Sequence, residues 1–277
     1  MRLVAAAVTV LAVGVAGASS RPPPPSYALP SWSEDGTQLF FVSARGPAGA
    51  VHAAGVNGRG MRRLFRTGIL SEVAWSPRDD WVAYSSRGRV VMLQPGAGSR
   101  RVVGSGVDLA WSPDGGRLAF SRSAGIGEPE YVYLVGADGA GLERLGPQGA
   151  TPAWSPGGVR LAFWQRVSEG VQLAVYSFAD AQVQVLTRPL PAFSRAPRWS
   201  PDGTHLLVTV CSAFGACRVE VAGADGSVVR RVATGGDPAW SPDGTRIAFS
   251  TRRSCAASGI FVTKADGTAL RRITSCR

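Results

Sequence analysis

Three acids recur at one place in this chain: Glu72, Asp108 and Asp237 each lie three residues before a tryptophan. A carboxylate repeated at one position is the ligand type that holds a hard cation or a basic group. The same side chain also accepts backbone N–H bonds where a loop enters a strand, so two roles stand for the set. Leu29, Thr151 and Ala196 occupy the position in the other copies. Arg198 stands one residue before its tryptophan, where Ser31, Ala74, Ala110, Ala153 and Ala239 stand elsewhere. An arginine so placed wants a carboxylate, and the three acids are the candidates. Catalytic chemistry has little else to draw on. The two histidines, His52 and His205, show no metal-ligand spacing, and no G-x-S-x-G elbow or Cys-His pairing occurs. His205 fills a place held by Arg117, Arg160 and Arg246 in other copies, which marks a generic strand position. The expectation is a chain without catalytic residues, metal or cofactor.

The elements that must position these residues are repeats. "PAWSPDGTRIAFST" from Pro238 returns as "LAWSPDGGRLAFSR" from Leu109, "PAWSPGGVRLAFWQ" from Pro152 and "PRWSPDGTHLLVTV" from Pro197. Looser copies begin at Pro30 and Val73. Their tryptophans, Trp32, Trp75, Trp111, Trp154, Trp199 and Trp240, are separated by 43, 36, 43, 45 and 41 residues. A period near forty without helical patterning predicts one four-stranded sheet per repeat, set radially. Ser-Pro-Asp-Gly suits a type I turn, with Pro fixing φ and Gly following it. A second phrase, such as "YVYLVGADGAGLERL" from Tyr131, reads as a strand, an Asp-Gly turn and a strand. Each repeat is therefore strand A ending at Trp, then strands B, C and D. One such sheet has two apolar faces, so only stacking against neighbours buries both. The tryptophan is the large filler between sheets.

The "PxWSPDGxxIAF…ADGxxxRRLT" pattern resembles the repeat of TolB-type six-bladed β-propellers from about Tyr27 to Arg277. The resemblance implies an all-β propeller of six blades with four antiparallel strands each, starting near 27, 71, 107, 150, 195 and 236. TolB itself carries a further α/β domain before its propeller. Here that place holds a leader and a spacer, so TolB's envelope role is not carried over. Similar propellers precede the catalytic domain of prolyl oligopeptidase-like peptidases, and none follows in this sequence.

Arg2, the apolar run Leu3 to Val15 and Ala16-Gly17-Ala18 read as a secretory leader over 1–18, too short to span a bilayer. The proline-rich "RPPPPS" then makes 19–26 a stiff spacer before a propeller over 27–277. The mature protein is expected outside the cytoplasm, secreted or periplasmic. The four cysteines fit that oxidising setting. Four cysteines allow three pairings, and the one expected from position is Cys211 with Cys217, which flank a hairpin loop, and Cys255 with Cys276.

The net charge of +11 becomes +10 when Arg2 leaves with the leader. Arg62-Arg63, Arg100-Arg101, Arg230-Arg231 and Arg271-Arg272 place pairs in strand D, a basic belt on the rim. Charge on an outermost strand guards against edge pairing, with an anionic polymer or membrane surface as a secondary target. Nucleic acid is not expected, because arginine spread around a rim makes no single basic face with stacking aromatics. The A–B and C–D turns on one face are uniform, while the B–C and D–A loops on the other vary. "SRSAGIGEPE", "LTRPLPAFSRAP", "FRTGILSE" and "CSAFGAC" are the variable ones. A rigid scaffold with variable loops is how binding surfaces are built. The reading is a monomeric, non-catalytic module that binds a protein or envelope glycan through its B–C/D–A face. The alternative is a lyase or hydrolase with a cation held at the channel mouth by Glu72, Asp108 and Asp237.

Overall fold

The computed structural model describes residues 8–9, 26–33, 35–45, 48–67, 72–77, 81–86, 88–94, 99–123, 125, 128–190, 196–212, 216–227, 230–251 and 259–274. Among them every regular element is a strand and every pairing is antiparallel, so the chain is all-β. The strands form six sheets, each assembled in chain order from four consecutive strands, A to D.

Sheet one comprises Ser26–Trp32, Gln38–Arg45, Ala48–Gly55 and Arg62–Thr67. Sheet two comprises Glu72–Trp75, Val82–Ser86, Arg89–Gln94 and Ser99–Ser105. Sheet three has Val107–Trp111, Arg117–Ser123, Glu130–Gly136 and Glu143–Gln148. Sheet four has Ala150–Trp154, Arg160–Val167, Gly170–Ser177 and Val183–Val185. Sheet five is built from Arg198–Trp199, His205–Cys211, Cys217–Gly223 and Arg230–Thr234. Sheet six is built from Gly236–Trp240, Arg246–Thr251, Gly259–Lys264 and Arg271–Arg272. Sheet two also carries a fifth strand, Val8–Thr9, paired with Val73 and Glu72 on the free edge of its strand A. The rest of the expected leader and most of the proline spacer lie outside the described residues. So do Cys255 and Cys276, with the bridge expected between them.

Strand B shows why the sheets stack. Leu118, Ala119 and Phe120 are all buried, although they alternate between the two sides of sheet three. Leu118 and Phe120 pack on Val90 and Met92 of sheet two. Ala119 turns the other way, towards Leu161 and Phe163 of sheet four. Sheets four and five meet through Trp164, Leu173, Trp199 and Leu206. Sheets five and six meet through Leu207, Val219, Ile247 and Phe249. The last sheet packs on the first, with Ala248 and Ile260 against Leu39 and Phe41. Among the described residues no strand is shared across that seam. Side-chain packing joins the first sheet to the last.

The repeated tryptophan does more than fill space. Its indole N–H donates to the carbonyl of the residue just before the tryptophan of the preceding sheet. Trp111 bonds Ala74 (3.1 Å), Trp154 bonds Ala110 (3.1 Å), Trp199 bonds Ala153 (2.9 Å) and Trp240 bonds Arg198 (3.2 Å). Trp32 of sheet one bonds Ala239 of sheet six at 3.2 Å, so the same link crosses the terminal seam. A buried indole needs such a partner, and a strand A carbonyl of the neighbouring sheet supplies it. On the turn face, the Arg160 and Arg246 guanidinium groups lie over the rings of Trp199 and Trp32, at 4.7 and 4.8 Å.

Candidate functional site

The mouth of the inner strands is shaped by a repeated kink. The A–B register shifts between Val107 and Ala110, between Ala150 and Ala153, and between Gly236 and Ala239. At the kink Asp108, Thr151 and Asp237 have φ of 56°, 55° and 52°, the left-handed region that aspartate tolerates better than most residues. Three of the expected mouth positions are thus bulge residues.

The two carboxylates among them turn inward to the sheet. Asp237 is 8% exposed, and its Oδ2 accepts a hydrogen bond from Ser250 Oγ at 2.8 Å. Asp108 is bonded to Ser121, and the Thr151 amide of sheet four donates both to this carboxylate and to Ser121 Oγ, the latter at 2.7 Å. Burial pushes the Asp108 carboxyl up, and nearby Glu130 adds to the rise, while the bonds from Ser121 and Thr151 oppose it. Sequence reasoning missed the serine partners. The signal was present for Asp108 and Asp237: a serine stands ten residues after the tryptophan, at Ser121 and Ser250, as it does at Ser85, whose buried Oγ has no hydrogen-bond partner. Sheet five keeps the hydroxyl, Thr209, but has Ala196 in the acid's place. There the buried Thr209 Oγ1 has no hydrogen-bond partner.

Asp108 and Asp237 belong to sheets three and six, which share no seam, and each is committed to its own serine. Among the described residues no three metal-ligating side chains come together; the side chain of Glu72 is not among those described. Arg198 is half-buried, and its carbonyl receives the Trp240 indole. The histidines sit elsewhere. His52 Nε2 lies 2.8 Å from Ser43 Oγ and its ring stacks on Phe41. Burial and neighbouring Arg63 lower its pKa, which weakens it as a base. His205 Nδ1 is 2.7 Å from Thr204 Oγ1 on the turn face.

The two faces of the sheet array differ as their sequences do. On the turn face, Ser-Pro-Asp-Gly closes with one repeated bond set, shown by Ser200-Pro201-Asp202-Gly203. The Gly203 amide donates to the Ser200 carbonyl, and Ser200 Oγ and the Thr204 amide both donate to Asp202 Oδ1. Gly203 has φ of 70°, which is why glycine ends the phrase. The serine bond and the amide hold Asp202 and Asp243 down to about 2. Arginines of strand D reach the next sheet's turn: Arg230 donates to Ala265 O (2.7 Å) and Arg271 to Asn57 O (3.0 Å). The belt therefore clasps neighbouring sheets as well as charging the rim.

On the opposite face the B–C connections of sheets one, two and four are tight hairpins, pairing Arg45 with Ala48, Ser86 with Arg89 and Val167 with Gly170. Longer ones join Ser123 to Glu130, Cys211 to Cys217 and Thr251 to Gly259. Cys211 and Cys217 are disulfide-bonded. Among the B–C connections length is thus concentrated in sheets three, five and six, and the D–A connection from Val185 to Arg198 is longer still. Replacing Cys211 and Cys217 by serine is expected to cost about 2 kcal/mol, as befits a short closed loop. Chemical denaturation of both forms checks it.

The carboxylates also set a pH signature. Asp202 and Asp243 have lowered folded values, so their contribution is complete above the unfolded value of 3.8 and is lost as pH falls through about 2. Asp108 has the opposite sign: its ionised form opposes folding at neutral pH, and the cost is relieved as pH falls through its raised value. Asp108→Asn should therefore raise the thermal midpoint at pH 7 and flatten its rise on mild acidification. A midpoint-versus-pH series for both proteins reads this directly.

Residues 149–276 match the family model of the TolB beta propeller domain. TolB from Acinetobacter baumannii is 18% identical with a TM-score of 0.64; the match covers 88% of this chain and 62% of that one. A protein described as TolB from Agrobacterium tumefaciens is 20% identical with a TM-score of 0.65, covering 82% and 88%. An oligogalacturonate lyase in complex with manganese is 13% identical with a TM-score of 0.60, covering 91% and 78%. The chain thus spans under two thirds of the Acinetobacter protein. No curated protein matches it. At these identities the likeness is one of fold: the chain is built like the β-propellers of these proteins, and its residues 149–276 match the propeller family model.

Proposed function

We propose that this TolB-like propeller closes as a ring of six four-stranded blades, is exported from the cytoplasm, and works there as a non-catalytic, monomeric binding module. Its partner, a protein or an envelope glycan, meets the B–C/D–A face. The observation that carries the reading is the contrast between the faces. One repeats the same hydrogen-bonded turn, and the other carries connections of unequal length, with the long B–C ones in blades three, five and six, the longest D–A one between blades four and five, and one B–C loop pinned by Cys211–Cys217. A pinned loop on a rigid blade loses less entropy on binding than a free one. The terminal seam supports closure, since the Trp32–Ala239 bond and the Arg271–Asn57 bond repeat contacts made between interior blades.

The manganese-bound lyase of similar fold motivates a second reading, a cation-assisted lyase or hydrolase at the channel mouth. Asp108 and Asp237 argue against it, because Ser121 and the Thr151 amide already engage Asp108 and Ser250 engages Asp237 Oδ2. One experiment separates the two. Cross-linked capture from the envelope fraction should retain a partner with the native protein and lose it when Ser123–Glu130 is shortened to a two-residue hairpin. Stoichiometric tight metal in the purified protein, with capture indifferent to the shortened loop, would favour the enzyme.

A further inference from the structure

The corner of the turn face where sheets six and one meet differs from the other described corners. In sheets three, four, five and six the C–D turn holds an aspartate whose Oδ1 accepts the amide two residues on. Asp138 accepts from Ala140 (2.9 Å), Asp180 from Gln182 (3.3 Å), Asp225 from Ser227 (2.8 Å) and Asp266 from Thr268 (2.8 Å). Sheet one makes the same turn with Asn57, whose Oδ1 accepts the Arg59 amide at 2.9 Å. The geometry is kept and the negative charge is gone.

Around that neutral turn the chain gathers cations. Arg59, Arg62 and Arg63 are all exposed. Arg271 of sheet six is drawn to the same corner by its bond to the Asn57 carbonyl. Next to these arginines in sequence stand two exposed apolar side chains that the core does not use, Met61 at 43% exposed and Leu270 at 61%. They occupy matching places in their repeats, each directly before the strand D arginine pair.

We propose that this corner docks the protein on an anionic phospholipid bilayer. Guanidinium groups bind phosphate oxygens in pairs. Met61 and Leu270 would enter the headgroup boundary, where apolar side chains beside arginine are stable. The whole-chain charge of +11 adds long-range attraction to such a surface. A sulfated or carboxylated polymer would also engage the arginines, but it offers the two apolar side chains nothing. The corner lies on the face opposite the variable loops, so docking leaves those loops free. The inference is independent of the loop-face reading.

The test is co-sedimentation of the full chain with vesicles of phosphatidylcholine alone, or of three parts phosphatidylcholine to one of phosphatidylglycerol. Any leader contribution is common to all variants and is reported by the neutral vesicles. The expected result is salt-sensitive binding to the mixed vesicles that exceeds binding to the neutral ones. Met61→Ser with Leu270→Ser should weaken it about tenfold. Asn57→Asp should weaken it several-fold with an unchanged thermal midpoint, because the Arg59 amide keeps its acceptor. Retention on immobilised dextran sulfate should ignore the Met61/Leu270 pair. The proposal is overturned if mixed vesicles bind no better than neutral ones. It also fails if the apolar pair can be replaced without effect on vesicle binding, which would leave a polyanion as the occupant.

Discussion

Trp199→Ala is expected to cost roughly 3–5 kcal/mol of folding stability, because it empties a large side chain from between two sheets. Trp199 is 9% exposed and packs with Trp164, Leu173 and Leu206. Truncation also removes the donor to Ala153 O and the ring beneath the Arg160 guanidinium. Trp199→Phe separates these terms. It keeps most of the volume and loses the N–H, so about 1–2 kcal/mol should go. Urea denaturation of the three proteins measures both numbers. A loss below about 1 kcal/mol for the alanine variant would mean the ring does not hold the seam.

The second large effect is expected at a residue with no side chain. Gly149 joins the last strand of sheet three to the first of sheet four, under the ring of Phe163. A Cβ there would stand 2.3 Å from Phe163 Cδ2 and 3.3 Å from the Trp164 carbonyl oxygen. Gly106 meets Phe120 and Gly235 meets Phe249 in the same way, at 2.5 and 2.8 Å. The inner strand can cross strand B this closely only where the crossing residue is glycine. Gly149→Ala should therefore cost about 1–3 kcal/mol by overpacking. Phe163→Leu on that background should recover part of it, although Phe163→Leu alone destabilises. A double-mutant cycle showing no coupling would place the cost in the backbone instead.

Much of the architecture was legible because it is local and repeated. The tryptophan spacing and the Ser-Pro-Asp-Gly phrase predict where each sheet begins and where its first turn falls. The described strands A start at Ser26, Glu72, Val107, Ala150, Arg198 and Gly236. The turn needs only neighbours in sequence: Ser200, Asp202 and Gly203 lie within four residues. What escaped involves partners in other strands or sheets. That the indole of Trp111 meets Ala74 depends on the stagger between sheets, which no spacing within one repeat encodes. The mouth acids were read with an open choice between a ligand and backbone amides. Asp237 bonds a serine thirteen residues on, across the bulge that its own left-handed φ creates. The arginine belt was read as a charged edge. Arg230 and Arg271 also bridge to the next turn, a contact visible only once sheets lie side by side.

Hydrogen exchange on the captured complex tests the central claim most directly, because it maps the partner onto one face or the other. The prediction is new protection at Ser123–Glu130 and Cys211–Cys217, with the Ser112–Gly116 and Ser200–Thr204 turns unchanged. Protection confined to the turns, or centred on the strands around Asp108 and Asp237, would contradict a loop-face binding module.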